Sequence, residues 1–221
     1  MPAFFARREG ERAVIEGGDA RHLARSLRAR RGQEIEVIDP AGFMLTVRLE
    51  HVGAERVEGT IVAERVHQPE PATHVTIAIA NLPAPALELV LSRCTEAGAW
   101  AFIVFGADRS VGRSDKLGRW GTICREASML AGRLHVPEVS AASSVDAVIG
   151  AAVNPVLLHR DSPERLVDVP LKGDMTLLIG PEGGWTDREL EVAEFQATLG
   201  PRNMRADTAA LVALAVVLAS V

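Results

Sequence analysis

Cysteine, lysine and net positive charge are all scarce in this chain of 221 residues. Its two cysteines, Cys94 and Cys124, stand 30 residues apart in segments of helical pattern. That spacing suits no metal site, and it predicts reduced thiols that fill the core. Lysine occurs only at positions 116 and 172, so arginine carries nearly all the positive charge. The formal net charge is −5, which gives no sign of a globally basic nucleic-acid binder, so any RNA surface has to be local. Long apolar runs are missing as well. The longest, 209–221, is too short to span a bilayer, and residues 1–12 are too charged for a secretory leader. A cytoplasmic protein with no membrane partner is expected. Internal repeats and low-complexity tracts are absent. What is there is 48% apolar and 24% charged, the balance of a globular protein. The length allows one large or two small domains, either able to bury a core.

Up to about residue 68, short alternating segments recur at 34–38, 44–49 and 57–63. Asp39-Pro40-Ala41-Gly42 and Gly53-Ala54 separate them. They predict a small antiparallel sheet or barrel, with one helix over 19–30. Gln68-Pro69-Glu70-Pro71-Ala72 then punctuates the chain as a linker, giving domains of 1–70 and 71–221. Beyond it the pattern predicts strands at 75–80, 100–105, 156–159 and 176–179. Helices are predicted at 84–97, 115–134, 145–152, 187–198 and 207–221. Such alternation gives an α/β domain, a mostly parallel sheet with helices on both faces. The last helix is apolar on nearly every side and so asks for burial all round. In a chain this size a homodimer through that helix is expected, with the central helix of a monomer as the other reading.

Leu177-Leu178-Ile179-Gly180-Pro181-Glu182-Gly183-Gly184-Trp185-Thr186 is the most informative stretch. It reads as a buried strand, a glycine-rich loop and a helix start, with Thr186 and Glu189 at capping-box spacing. Gly180, Gly183 and Gly184 remove side chains that would block a ligand, and the helix amides would face it. Loops at the carboxyl ends of strands are where open α/β sheets bind cofactors. Neither G-x-G-x-x-G nor a P-loop is present, so a dinucleotide or nucleotide triphosphate is poorly supported. A plain strand-to-helix turn remains as good a reading of the loop alone.

Twenty residues downstream comes Leu199-Gly200-Pro201-Arg202-Asn203-Met204-Arg205-Ala206-Asp207-Thr208-Ala209-Ala210. The two segments together resemble the SPOUT methyltransferases, and within them the RsmE family. That family carries a GPEGG loop, a stretch near LGxRxLRxETA and an apolar last helix. The likeness continues upstream in Gly132-Arg133-Leu134-His135-Val136-Pro137-Glu138-Val139, and in Arg21-His22-Leu23 followed by Ser26-Leu27-Arg28 and Gly32. It thus runs through nearly the whole chain. The resemblance implies an N-terminal PUA-like barrel that binds RNA and a SPOUT domain with a C-terminal trefoil knot. It also implies methyl transfer from S-adenosylmethionine to N3 of a uridine in small-subunit ribosomal RNA, free or in the subunit. A ribose 2′-hydroxyl target and an RNA-binding module without turnover are the other functions compatible with the sequence.

The resemblance maps three cofactor loops onto this chain: Leu158 and His159; Leu178, Ile179, Gly180, Pro181, Glu182, Gly183 and Gly184; and Leu199, Gly200, Asn203 and Met204. Methyl transfer from a sulfonium needs no metal, and none is expected. Uridine N3 carries a weakly acidic proton, so its methylation needs a proton acceptor or stabilisation of the imidate. Arg205, Asp207 and Thr208 are the catalytic candidates. Arg205 would stabilise charge on a uracil oxygen or fix a phosphate, and Asp207 would take the proton or orient Thr208. Asp207 is equally suited to capping the last helix. Arg21, Arg25, Arg28, Arg30 and Arg31 put five positive charges in eleven residues with no acid among them. Arg21, Arg25 and Arg28 would share one helix face for phosphate contacts, with His22 beside them and Arg109, Arg113 and Arg133 extending the surface. A solvated surface helix is the bland reading of that cluster. The chain departs from the family pattern at Ala86, Arg93, Met129-Leu130, Asn203 and Asp207.

Overall fold

A computed structural model describes residues 2–110, 117–170 and 173–220. The start of the third long helix and Arg113, both singled out above, lie outside these residues. The chain forms two compact units, residues 1–70 with 128–135, and residues 71–127 with 136–221.

In the first unit, β1 (Phe4–Phe5), β2 (Arg7–Glu9) and β3 (Arg12–Glu16) precede a short helix α1 (Gly17–Arg21). β4 (Glu34–Asp39), β5 (Phe43–Val52) and β6 (Arg56–Val66) follow. The sheet order is β1-β4-β5-β6-β3-β2. β1 and β2 are separated by Ala6 alone, so one bent segment pairs with β4 at one end and β3 at the other. That bend brings the sheet round on itself as a small barrel. Phe4, Leu23, Leu45, Leu49 and Val57 fill it. The alternation along β4 to β6 made three strands legible, whereas β1 to β3 are too short and too charged to announce themselves.

The helix expected over 19–30 is not a single one. α1 passes into a wide helical turn, His22–Ser26, which closes when Leu27 N–H and Ala29 N–H donate to the carbonyls of His22 and Leu23. Arg28 then sits in the left-handed region at φ +52, so Arg21, Arg25 and Arg28 do not share a helix face. Arg133 corrects a second expectation. Its side chain is only 4% exposed and donates from Nε to the Glu70 carboxylate at 3.0 Å, so it offers no surface to RNA. Burial opposes the charge on Glu70. The Arg133 guanidinium and the Leu134 and His135 amides outweigh it and hold the carboxyl below its ordinary range.

The second unit contains β7 (Val75–Ala80), α2 (Ala84–Ala97), β8 (Ala101–Phe105), α3 (Leu117–Ala131, its last turn counted with the first unit) and β9 (Glu138–Ala142). It continues with α4 (Val145–Ala151), β10 (Pro155–Leu158), β11 (Met175–Ile179), α5 (Asp187–Glu191), β12 (Gln196–Ala197) and α6 (Ala206–Ala219). All strand pairs are parallel, in the order β12-β10-β11-β7-β8-β9. One face carries Ile77, Ile79, Leu177 and Ile179 under α2 and α6, and the other carries Ala78, Ala80, Leu178 and Phe105 under α4. Burial on both faces is why these strands read as continuous apolar runs. Strand order reverses between β7 and β11, which is the place where open sheets leave a crevice.

The helix expected over 187–198 ends at Glu191. Gln196–Ala197 instead extends the sheet beside β10, with Leu157 N–H donating to the Phe195 carbonyl and His159 N–H to that of Ala197. Edge pairing prevails over a sequence that could continue as helix. α6 packs against β7, β11, α2 and the short turn Leu166–Asp168 between β10 and β11. Its inner residues Ala206, Ala210, Ala213, Leu214 and Val217 are buried, while Thr208, Ala215 and Ala219 face outward. No helix among the described residues is long and apolar enough to cross a membrane.

Candidate functional site

The loops after β10, β11 and β12 leave the carboxyl ends of three adjacent parallel strands and enclose one cavity of about 410 Å³. Of the residues that the resemblance assigns to the cofactor, Leu158, His159, Ile179, Gly180, Pro181, Glu182, Gly183, Gly184, Leu199, Gly200, Asn203 and Met204 line this cavity. Leu178 does not. It is fully buried on the opposite face of the sheet with Phe105 and Trp185, because successive side chains of a strand alternate. A run apolar at every position hides that alternation. Arg109, Arg160, Asp161, Trp185, Arg202, Ala206 and Ala209 also line the cavity. The sequence groups Arg109 with the RNA contacts and Arg202 with the third loop, and the rest carry no signal of their own.

Trp185 organises the glycine loop. Its indole Nε1–H donates to the Leu158 carbonyl at 2.9 Å, which ties the β11 loop to the end of β10. Its ring lies parallel to that of Phe105, with centroids 6.2 Å apart. A Cβ at Gly180 would stand 2.8 Å from that indole, so glycine is required there by contact. Gly184 and Gly200 are required by backbone, at φ +71 and +105.

The loop following β8 braces the same segment. Arg109 Nη1 donates to the carbonyls of Gly183 (3.1 Å) and Trp185 (3.0 Å). Thr186 and Glu189 form the expected capping box. The wholly buried Glu189 carboxylate also accepts from the Asp108 amide at 2.9 Å. Asp108 accepts from Thr186 Oγ1 and Arg188, and Arg188 reaches Asp146, so these partners hold both aspartates below their ordinary range. The third loop is tied to the first by Thr198 Oγ1, which donates to the Arg160 carbonyl (2.8 Å) and accepts from Gly200 N–H (3.1 Å). Asn203, a departure from the family pattern, accepts from Arg160 Nη1 at 2.7 Å.

Arg205 and Asp207 flank Ala206, which lines the cavity. Arg205 is exposed and pairs with Asp207 at 3.3 Å. Asp207 Oδ1 accepts from the Thr208 amide (2.7 Å) and Thr208 Oγ1 (3.2 Å). The helix cap is Arg205, without a side-chain bond, so Asp207 sits inside the first turn, where a carboxylate suits the helix dipole. Arg25, Arg28, Arg30 and Arg31 are exposed on the first unit. Arg21 pairs with Glu55 at 3.0 Å, and exposed His22 lies near the Phe4 ring. Among the described residues no group of three or more His, Cys, Asp or Glu side chains is placed to hold a metal. A second cavity, of about 640 Å³, contains none of the motif residues.

Comparison with known proteins gives this arrangement a family. The model for the RNA methyltransferase domain matches residues 68–218, and that for the RNA methyltransferase PUA domain matches residues 15–62. The ribosomal RNA small subunit methyltransferase E of Mycobacterium tuberculosis is 31% identical over 229 aligned residues, covering 94% of this chain and 86% of the relative. That of Synechocystis is 34% identical over 212, covering 88% and 68%. The crystal structure of a ribosomal RNA small subunit methyltransferase E from Neisseria gonorrhoeae bound to S-adenosyl methionine superposes with a TM-score of 0.86. It is 27% identical, covering 97% of this chain and 95% of that one. With a PUA-like barrel, a SPOUT-type parallel sheet and matches across both, the chain belongs to the RNA methyltransferase family that includes the small-subunit methyltransferase E proteins.

Proposed function

We propose that this protein transfers the methyl group of S-adenosylmethionine to N3 of a uridine in small-subunit ribosomal RNA. The observation that carries the reading is the convergence of three loops on one cavity with Arg205 and Asp207 beside it. The residues suit the cofactor. The volume is that of a small-molecule site. Leu158, Leu199 and Met204 offer apolar surface to an adenine, and Gly184, where an added Cβ would meet nothing within 4 Å, leaves open space beside the backbone. When bound, the cofactor supplies an electrophilic methyl on a sulfonium.

The chain's own residues do the rest. Arg205 extends into solvent and can meet a uracil oxygen, where its fork stabilises the charge that grows as N3 loses its proton. Asp207 holds Thr208 and Arg205 in register and is the nearest carboxylate in sequence for that proton. Arg25, Arg28, Arg30 and Arg31, with His22, supply phosphate contacts on the barrel. Two copies associate through the outer face of α6. Contact of α6 with the turn at 166–168 supports the threaded C-terminal segment that the family resemblance implies.

The test uses small-subunit RNA, free and in assembled subunits, from a strain lacking this protein. N3 methylation removes a Watson–Crick donor, so treatment with enzyme and cofactor is expected to create one strong primer-extension stop at a uridine. Arg205→Ala is expected to lower transfer by about 10²- to 10³-fold while cofactor affinity holds. A stop that appears only at low nucleotide concentration would point to ribose methylation and overturn the base assignment.

A further inference from the structure

One cation on the cavity wall is held in place by two backbone carbonyls, and among the described residues no carboxylate forms a salt bridge with it. Arg109 lies just beyond β8, in the loop that braces the glycine segment. Its Nη1 is fixed by two backbone carbonyls, those of Gly183 and Trp185. Its stem runs beneath Gly183, where an added Cβ would stand 3.1 Å from Arg109 Cβ. Among the described residues Nε and Nη2 find no acceptor, and the guanidinium makes no ion pair. The other two cavity arginines differ. Arg160 is occupied by Asp161 and Asn203, and among the described residues Arg202 has no hydrogen bond to fix its direction.

We propose that Arg109 binds the α-carboxylate of the cofactor's methionine portion. The inference rests on the cofactor reading above and names the residue that receives the charged tail. A guanidinium with one edge anchored and donors still free matches a planar carboxylate, and its orientation is set before the ligand arrives. The neighbouring charges agree. S-adenosylmethionine carries one anionic group and two cationic ones, and Glu182, on the same loop that Arg109 braces, lines the cavity with a carboxylate for the cations. Arg202, unanchored, is the arginine free to follow a mobile RNA phosphate.

Two ligands isolate the tail. S-adenosylhomocysteine carries the amino-acid portion, and 5′-methylthioadenosine keeps the adenosine and thioether without it. Calorimetric titration of both into the full-length protein is expected to show that Arg109→Gln weakens S-adenosylhomocysteine by about 10- to 100-fold. Methylthioadenosine should change by less than about twofold, since no charged hydrogen bond is lost. Arg109→Lys, which keeps the charge without the fork, should fall between wild type and Arg109→Gln, and Arg202→Gln should leave the ratio of the two affinities unchanged. Equal losses for both ligands would reduce Arg109 to a loop brace and overturn the proposal, as would loss of the ratio in Arg202→Gln. If the wild-type protein binds methylthioadenosine but shows no preference for S-adenosylhomocysteine, the tail assignment fails while the cofactor reading stands. If it binds neither, the cofactor reading itself fails.

Discussion

Gly180 and Gly184 lie in one loop, yet different forces demand them. At Gly184 the backbone is left-handed, at φ +71, and a side chain there would meet nothing within 4 Å. At Gly180 the obstacle is the Trp185 indole, 2.8 Å from where a Cβ would be. That ring cannot swing aside, because its Nε1–H is bonded to Leu158 and its face lies over Phe105. Gly180→Ala is therefore expected to cost about 1–3 kcal/mol in thermal or denaturant unfolding, the usual range for overpacking. It should also weaken S-adenosylhomocysteine, since relief of the clash shifts the cavity wall; wild-type stability and affinity would refute the steric account. The glycines were legible as a ligand loop, but which ones answer to a side chain was not. Trp185 reaches Leu158 across 27 positions and Arg133 reaches Glu70 across 63, and no local pattern encodes such partners. The buried fate of Arg133 was hidden for that reason.

At the level of elements, α5 shows what local signals can and cannot deliver. Thr186 and Glu189 have capping-box spacing, and the box is there with both reciprocal bonds. The spacing does not reveal that Glu189 is wholly buried and serves a second element, through the Asp108 amide. Glu189→Ala would orphan the amides of Asp108 and Thr186 together. The expected loss is about 1–3 kcal/mol of stability, from two part-buried donors left unmet and one lost cap. Hydrogen exchange offers the sharper reading, with faster exchange confined first to the loops at 106–110 and 180–186. Unchanged protection there would mean the carboxylate is not what joins them. The same element marks where the sequence pattern overreaches. Nothing in Val192 to Phe195 forbids helix, and only the open edge of β10 converts the next residues into β12. Sheet edges are properties of the assembled fold, so β12 and β9 were missed for one reason, whereas the buried, regular β7 and β11 were plain.

For the whole molecule, α6 poses the largest imbalance. Its inner face is sealed by the sheet and α2, with half-buried Leu211 and Val216 packed against that core, but its outer face is also apolar, with Ala215 and Ala219 exposed and Val212 half-buried. From Ala209 to Ala219 the helix has no polar or charged residue on any side. A helix meant to face water carries a polar stripe, and the dimer proposed above would give this face an apolar partner. An identical helix from another copy satisfies the requirement, because a two-fold axis places the same patch on both sides. Wild-type protein is then expected to sediment at twice the 23.6 kDa chain mass. Ala215→Glu puts a carboxylate into the middle of that patch without touching the inner face. Its chain should keep the native circular dichroism and lose the dimer, because an unpaired charge buried in an apolar contact costs several kcal/mol. A variant that still sediments as a dimer with undiminished affinity would show that the copies meet elsewhere. Arg205 and Thr208 lie at the start of this helix, next to the cavity, so the monomeric variant also tests the site. If cofactor affinity survives while methyl transfer falls, the partner's contribution belongs to RNA placement and each cofactor cavity is complete within one chain.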